Sequence, residues 1–177
     1  MRVHPTRGLT LVELVITTGI LVSGILMVTS LIISSQRLTM LSSQRSEARD
    51  ALHARLGRLR AEFRDAAPSA TQFERILAQN GATENVTLSS HPLPALITIE
   101  TFPGVTPNTA DEGATNAGLA SLGITNVDLD ANGSSADGEI PTDELRILGV
   151  RIRIEWRAAD WRPGEPLQVQ ELGALLY

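Results

Sequence analysis

From Leu9 to Ser34 the chain is apolar throughout, interrupted only by hydroxyls, by Gly19 and Gly24, and by one acid, Glu13. In helical form this run would measure roughly 39 Å, more than the ~30 Å hydrocarbon core of a bilayer. From Ser34 the pattern turns amphipathic, and no proline falls between Pro5 and Pro68. Leu52, Leu56, Leu59 and Phe63 recur at helical spacing, with Ala48 and Leu41 extending the stripe backwards. The other face carries Arg37, Arg45, Arg49, Arg55, Arg58, Arg60 and Arg64 against Glu47, Asp50, Glu62 and Asp65. The spacing predicts one helix from about Leu9 to Ala66, stopped by Pro68, with an apolar half that suits membrane and an amphipathic half that suits a globular head.

Beyond Pro68 the periodicity shortens. Thr71 to Gln79 reads as a short helix that ends at the turn signal Asn80-Gly81. Val86-Thr87-Leu88 and Leu96-Ile97-Thr98-Ile99 read as strands. Between them His91 sits beside Pro92 and Pro94 with no second histidine or acid close by, as a surface loop residue would. Val150, Ile152, Ile154 and Trp156 alternate with Arg151, Arg153 and Glu155, the pattern of a strand with one dry face and one wet face. Arg162-Pro163-Gly164 is a turn, and Leu167 to Gln170 resumes the alternation, so the end of the chain predicts an antiparallel hairpin. Its apolar face would cover the helix stripe from Leu52 to Phe63. The fold class is therefore α+β.

Residues 102–144 show neither period. They are rich in Gly, Ala, Thr, Asn and Pro, and from Ile76 to Leu145 there are acids but no Arg or Lys. A loop of that length without structure is unusual in a compact domain, so it should be functional, mobile or held by something.

Composition narrows the chemistry. Aromatics are only 3% of the 177 residues, so the core must be aliphatic, and with no cysteine there are no disulfides, thiolate catalysis or Cys-based zinc sites. His4, His53 and His91 do not cluster, and neither a nucleophile elbow nor a phosphate loop is present. No enzyme is expected. The arginine-rich helix face could meet phosphates, but acids are interleaved and no stacking aromatics lie near, so nucleic acid is not an expected partner.

One candidate for holding the acidic loop is a metal. Asp128, Asp130, Asn132, Gly133 and Glu139 fit D-x-[DN]-x-[DN]-G-x₅-E. Alternate side chains converge as such a loop wraps, Gly133 permits the sharp turn, the Ser134 carbonyl donates next, and Glu139 closes the shell. Hard oxygens of this kind suit a structural calcium. Ser135 stands where an EF-hand has an aliphatic residue and no helices flank the loop, so this is an EF-hand-like loop without the hand. Asp137, Asp143 or Glu144 could replace Glu139, and a solvated acidic turn is the plain alternative.

Glu13 is the residue that most needs a partner. A carboxylate in a membrane helix costs a few kcal/mol on insertion scales. If the bond between Gly8 and Leu9 were cut, Leu9 would carry an α-ammonium one helical turn before Glu13, and the carboxylate would offset its unfavourable place in the helix dipole. The same carboxylate could reach the ammonium of a neighbouring subunit. An ordinary secretory signal cleaved near Val22-Ser23-Gly24 would also explain the basic leader, but the apolar run continues past that point. A plain anchor leaves Glu13 unexplained.

With its basic leader, Gly8-Leu9-Thr10-Leu11-Val12-Glu13-Leu14 resembles the signal of type IV prepilins and type II secretion pseudopilins. The resemblance implies cleavage by a membrane-embedded prepilin peptidase between Gly8 and Leu9, N-methylation of Leu9, and Glu13 as the carboxylate of subunit assembly. Leu9 stands where the family usually has Phe, and Ser30 where major pilins tend to have proline. The implied organisation is a leader over 1–8, a transmembrane and filament-core helix over 9–35, its amphipathic continuation over 36–67, and a β-rich head over 68–177 with the acidic loop at 102–144. The implied function is a minor pilin of a type IV pilus serving adhesion, motility or DNA uptake. The chain would cross the inner membrane once and then enter a filament at the cell surface or in the periplasm. Its partners would be other pilin subunits and inner-membrane assembly proteins. The alternatives are a pseudopilin of a type II secretion system and a membrane-anchored, calcium-binding adhesin that never polymerises.

Overall fold

The computed structural model describes residues 10–65, 70–91, 93–106, 108–158 and 161–177. Helix α1 (Leu11–Asp65) is followed by α2 (Ala70–Leu77), β1 (Thr83–Val86), β2 (Ala95–Thr101), β3 (Thr109–Asp111), α3 (Glu112–Leu119), a 3₁₀ turn (Ala120–Leu122), β4 (Glu139–Pro141), β5 (Leu148–Trp156) and β6 (Gln168–Leu176). The chain divides into two compact units, one ending at Ser42 and the other spanning Ser43–Tyr177.

The first unit holds the apolar half of α1. Its large side chains from Leu11 to Ile33 are exposed on every side. Its hydroxyls bond back to carbonyls one turn earlier, Thr18 to Leu14 at 2.6 Å, Ser23 to Gly19 at 2.9 Å and Thr29 to Ile25 at 2.8 Å. A helix whose polar groups are satisfied internally is the form that an apolar solvent accepts. Among the described residues, α1 is the one helix long and apolar enough to cross a membrane.

The second unit is α+β, with the amphipathic half of α1 packed on an antiparallel sheet of order β1-β2-β5-β6. Ala48, Leu52, Leu56, Leu59 and Phe63 share one core with Ile97 and Ile99 of β2 and Val150, Ile152, Ile154 and Trp156 of β5. The alternation read from the sequence is thus the alternation of burial in β5. Strand β6 continues to Leu176 in register with β5, so the Leu-rich end of the chain completes the hairpin.

The opposite face of the sheet is half covered. Gly149 and Arg151 of β5 and Gly173 and Leu175 of β6 form adjacent rows there, and α3 with its 3₁₀ turn lies over them. A Cβ on Gly149 would meet Thr115 Cγ2 at 2.5 Å, and one on Gly173 would meet Leu122 and Ile124 at 3.0 Å. The two glycines form a notch that lets a helix approach the sheet closely. Arg151 crosses the same face, donating to Gly118 O at 3.1 Å and pairing with Glu100.

Three expectations need correction. The first of the head's strands is Thr83–Val86, not Val86–Leu88, because Glu84 pairs with Ile97 while Leu88 is buried outside the ladder. His91 is not a surface residue: it is buried, with its backbone N–H on Leu88 O at 3.0 Å and its Nδ1 accepting from Leu93 N at 3.0 Å. Residues 102–144 are not a structureless loop, since they contain β3, α3 and β4. Sparse apolar anchors hold them, with Ala110, Val127, Leu129, Ile140 and Leu145 joining the main core.

Candidate functional site

Two places carry candidate chemistry. At the start of α1, Thr10 and Glu13 cap the helix reciprocally. Glu13 N donates to Thr10 Oγ1 at 3.3 Å, and Glu13 Oε2 accepts from Thr10 N at 2.9 Å and from Thr10 Oγ1 at 3.0 Å. This is a capping box, a Ser/Thr and a Glu three residues apart that satisfy otherwise orphaned N–H groups. The signature was legible as Thr10-x-x-Glu13 and gives Glu13 a local role that the membrane argument overlooked. The capping places the carboxylate beside the N-terminal end of the helix. Gly8 and Leu9 lie outside the described residues.

The acidic loop is built on α3. Asp111 is the N-cap, its Oδ1 accepting from Ala114 N at 2.7 Å. The next residue, Glu112, is fully buried, and its two oxygens accept from Leu129 N at 2.7 Å and Asp137 N at 2.8 Å. One turn on, Asn116 accepts from Val127 N at 2.7 Å and donates to Val127 O and Ser135 O, each at 3.0 Å. One face of a two-turn helix therefore clasps both ends of the loop.

Within the loop the spacing brings Asp128, Asp130 and Asn132 together. Asp128 accepts from Asn132 N at 3.1 Å and Gly133 N at 2.7 Å, and Gly133 turns the chain at φ +94°. Ala131 also adopts a left-handed φ, of 63°. Ser134 N donates to Asn132 Oδ1 at 2.7 Å, which orients the amide so that Nδ2 donates to Asp130 at 2.9 Å and Asp137 at 2.5 Å. Glu139 is elsewhere: it lies in β4 opposite Asp111, and its carboxylate accepts from Thr109 Oγ1 at 3.0 Å. Glu112, not Glu139, is the carboxylate that the fold brings beside Asp128 and Asp130, while Asp137 joins the loop through the Asn132 amide. The sequence offered Asp137 as a substitute but gave no sign of Glu112, whose burial depends on tertiary packing.

No family model, no curated protein and no solved structure matches the chain.

The electrostatics follow from the donors. Desolvation pushes the Asp128 carboxyl up, but hydrogen bonds from the Gly133, Ala131 and Asn132 backbone and its contact with Asp130 outweigh it, so its pKa lies below the ordinary carboxylate value. Side-chain hydrogen bonds from Asn132 and Ser134 hold the Asp137 carboxyl down as well, against desolvation and the Asp128 charge. Glu112, Asp128 and Asp130 each offer one oxygen within 4.8 Å of the others. Two oxygens bound to one calcium at 2.3–2.6 Å can be at most about 5 Å apart, so the donor set fits such an ion in kind and in spacing.

Proposed function

We propose that this chain is a subunit of a type IV pilus or of the related secretion pseudopilus, made as a prepilin and assembled into a filament through its N-terminal helix. The observation that carries the reading is Glu13, the one charge between Thr10 and Gln36, set in the first turn of a helix with apolar side chains exposed all round. Such a helix needs a bilayer or a sheath of like helices to cover it, and a lone acid at its start needs a cation. Cleavage between Gly8 and Leu9 supplies that cation one turn away. In this reading the chain waits in the inner membrane, and helix–helix burial compensates its extraction into the filament. Thr10 keeps the carboxylate at the helix end until a neighbouring ammonium competes for it.

The same reading gives the acidic loop a structural calcium, held by Glu112, Asp128 and Asp130. The ion would neutralise carboxylates that Asn132 Nδ2 and backbone N–H groups already share, and would stiffen an outward-facing surface in a head without disulfides.

The experiment is intact mass and N-terminal sequencing of the mature chain. The expected product begins at Leu9 with a methylated amine. An intact Met1, or a start after Gly24, would overturn the proposal.

A further inference from the structure

The fold treats the two flanks of the amphipathic half of α1 differently. On one flank Arg55 and Arg58 reach Glu84 of β1 at 3.2 and 3.0 Å, and Arg55 also holds Glu62 at 3.3 Å. On the other, Arg49, His53, Arg60 and Arg64 recur at intervals of one or two helical turns and form a single exposed stripe. Among the described residues no carboxylate pairs with Arg49, Arg60 or Arg64. Beside the last two, Phe63, Leu175, Leu176 and Tyr177 line an open cavity of about 470 Å³. Leu175 and Leu176 end β6, the outermost strand on that side of its sheet, and Tyr177 is 90% exposed. The result is a basic groove with an apolar floor along a sheet edge.

The same chain carries a complementary surface. The loop from Asp128 to Glu144 belongs to a stretch with acids and no Arg or Lys, and Asp143 and Glu144 are exposed. Its first half is tied to α3, which lies on the sheet face opposite α1. We propose that the basic flank of one copy receives the acidic loop of a second copy. The proposal rests on the filament reading to the extent that copies must stand side by side. Because the two patches differ, the contact is head-to-tail, the kind that builds an open filament where the rotation from copy to copy does not close into a ring. Exposed ion pairs are individually weak, so the contact sets register and partner choice while helix packing supplies affinity. A nucleic acid is the poorer occupant, because a chain of net charge −5 repels a polyanion as a whole.

The absence of native cysteine makes the test clean. Differently tagged full-length Arg64→Cys and Glu144→Cys copies are co-expressed in cells that assemble the protein, and then oxidised. The mixed disulfide should exceed either homodisulfide severalfold. It should fall severalfold with Arg60→Glu and return when Asp143→Arg is placed on the other copy. It should also fall as salt rises from about 0.1 M to 1 M, where the screening length shrinks from about 10 to about 3 Å. Equal homodisulfides, no mixed product, or a mixed product indifferent to Arg60→Glu would overturn the contact, as would loss of the link on adding duplex DNA. A Leu21→Cys pair in the apolar half of α1 runs in parallel. If it links and the head pair does not, the charge contact is wrong and the filament reading stands. If neither links, both fall.

Discussion

Replacing Glu112 by Gln changes one buried atom and should loosen the whole acidic loop. Both Glu112 oxygens accept from backbone N–H groups, Leu129 on one side and Asp137 on the other, and the side chain is fully buried. An amide keeps one acceptor and turns an NH₂ towards the second donor, so one buried N–H loses its partner. That costs about 1–3 kcal/mol. At about 2–4 °C per kcal/mol for a protein of this size, a cost of about 2 kcal/mol lowers Tm by roughly 4–8 °C. Thermal melts of the full chain in detergent read the shift. Hydrogen exchange reads its location, with opening at the Leu129 and Asp137 amides rising roughly 30-fold for about 2 kcal/mol. Glu139→Gln is the control, because spacing alone selects Glu139 for the loop while the fold leaves it exposed on Thr109. Its effect should stay within about 0.5 kcal/mol. Equal effects of the two variants, or unchanged exchange at both amides in Glu112→Gln, would refute the clasp.

Three further outcomes follow from the same contacts. Gly149→Ala sets a methyl 2.5 Å from Thr115 Cγ2 and should destabilise the head by about 1–3 kcal/mol, with Thr115→Ser restoring much of it; additive losses in the double variant would refute the notch. The Asp128 and Asp137 pKa values are lowered in the folded state, so the stability they contribute is complete above about pH 4 and disappears as pH falls through the folded values. Wild type should therefore lose Tm more steeply than the Asp128→Asn/Asp137→Asn variant as pH drops below about 4, and parallel curves would refute that. Calcium should raise Tm, chelator should reverse the rise, and Asp128→Asn should abolish it; a melt indifferent to calcium removes the ion from the account.

The long helix and the β5–β6 hairpin were legible because their periods are clean: Leu52 to Phe63 and Val150 to Trp156 each put one face in the same core. The acidic stretch was misread because its anchors are sparse and its ordering comes from polar groups. Asp111-Glu112 is a respectable helix start, yet only the fold reveals that Glu112 points inward and gathers two strands of the loop. Spacing found Asp128, Asp130 and Asn132 because neighbours in a tight turn converge locally. It failed at Glu139, where β4 pairs with β3 and carries the side chain away. His91 failed likewise, since a turn beside prolines reads as surface until packing folds the ring under it.

The most direct test of the account separates the two roles open to Glu13. Glutamine serves a capping box nearly as well as glutamate but cannot pair with an ammonium. The full chain carrying Glu13→Gln is expressed with the assembly machinery, and sheared filaments are measured for its content against the membrane fraction. The account predicts a chain cut at Gly8, retained in the membrane and missing from filaments. Incorporation of Glu13→Gln at the wild-type level would show that the carboxylate only caps its helix, and would contradict the filament-subunit reading at its root.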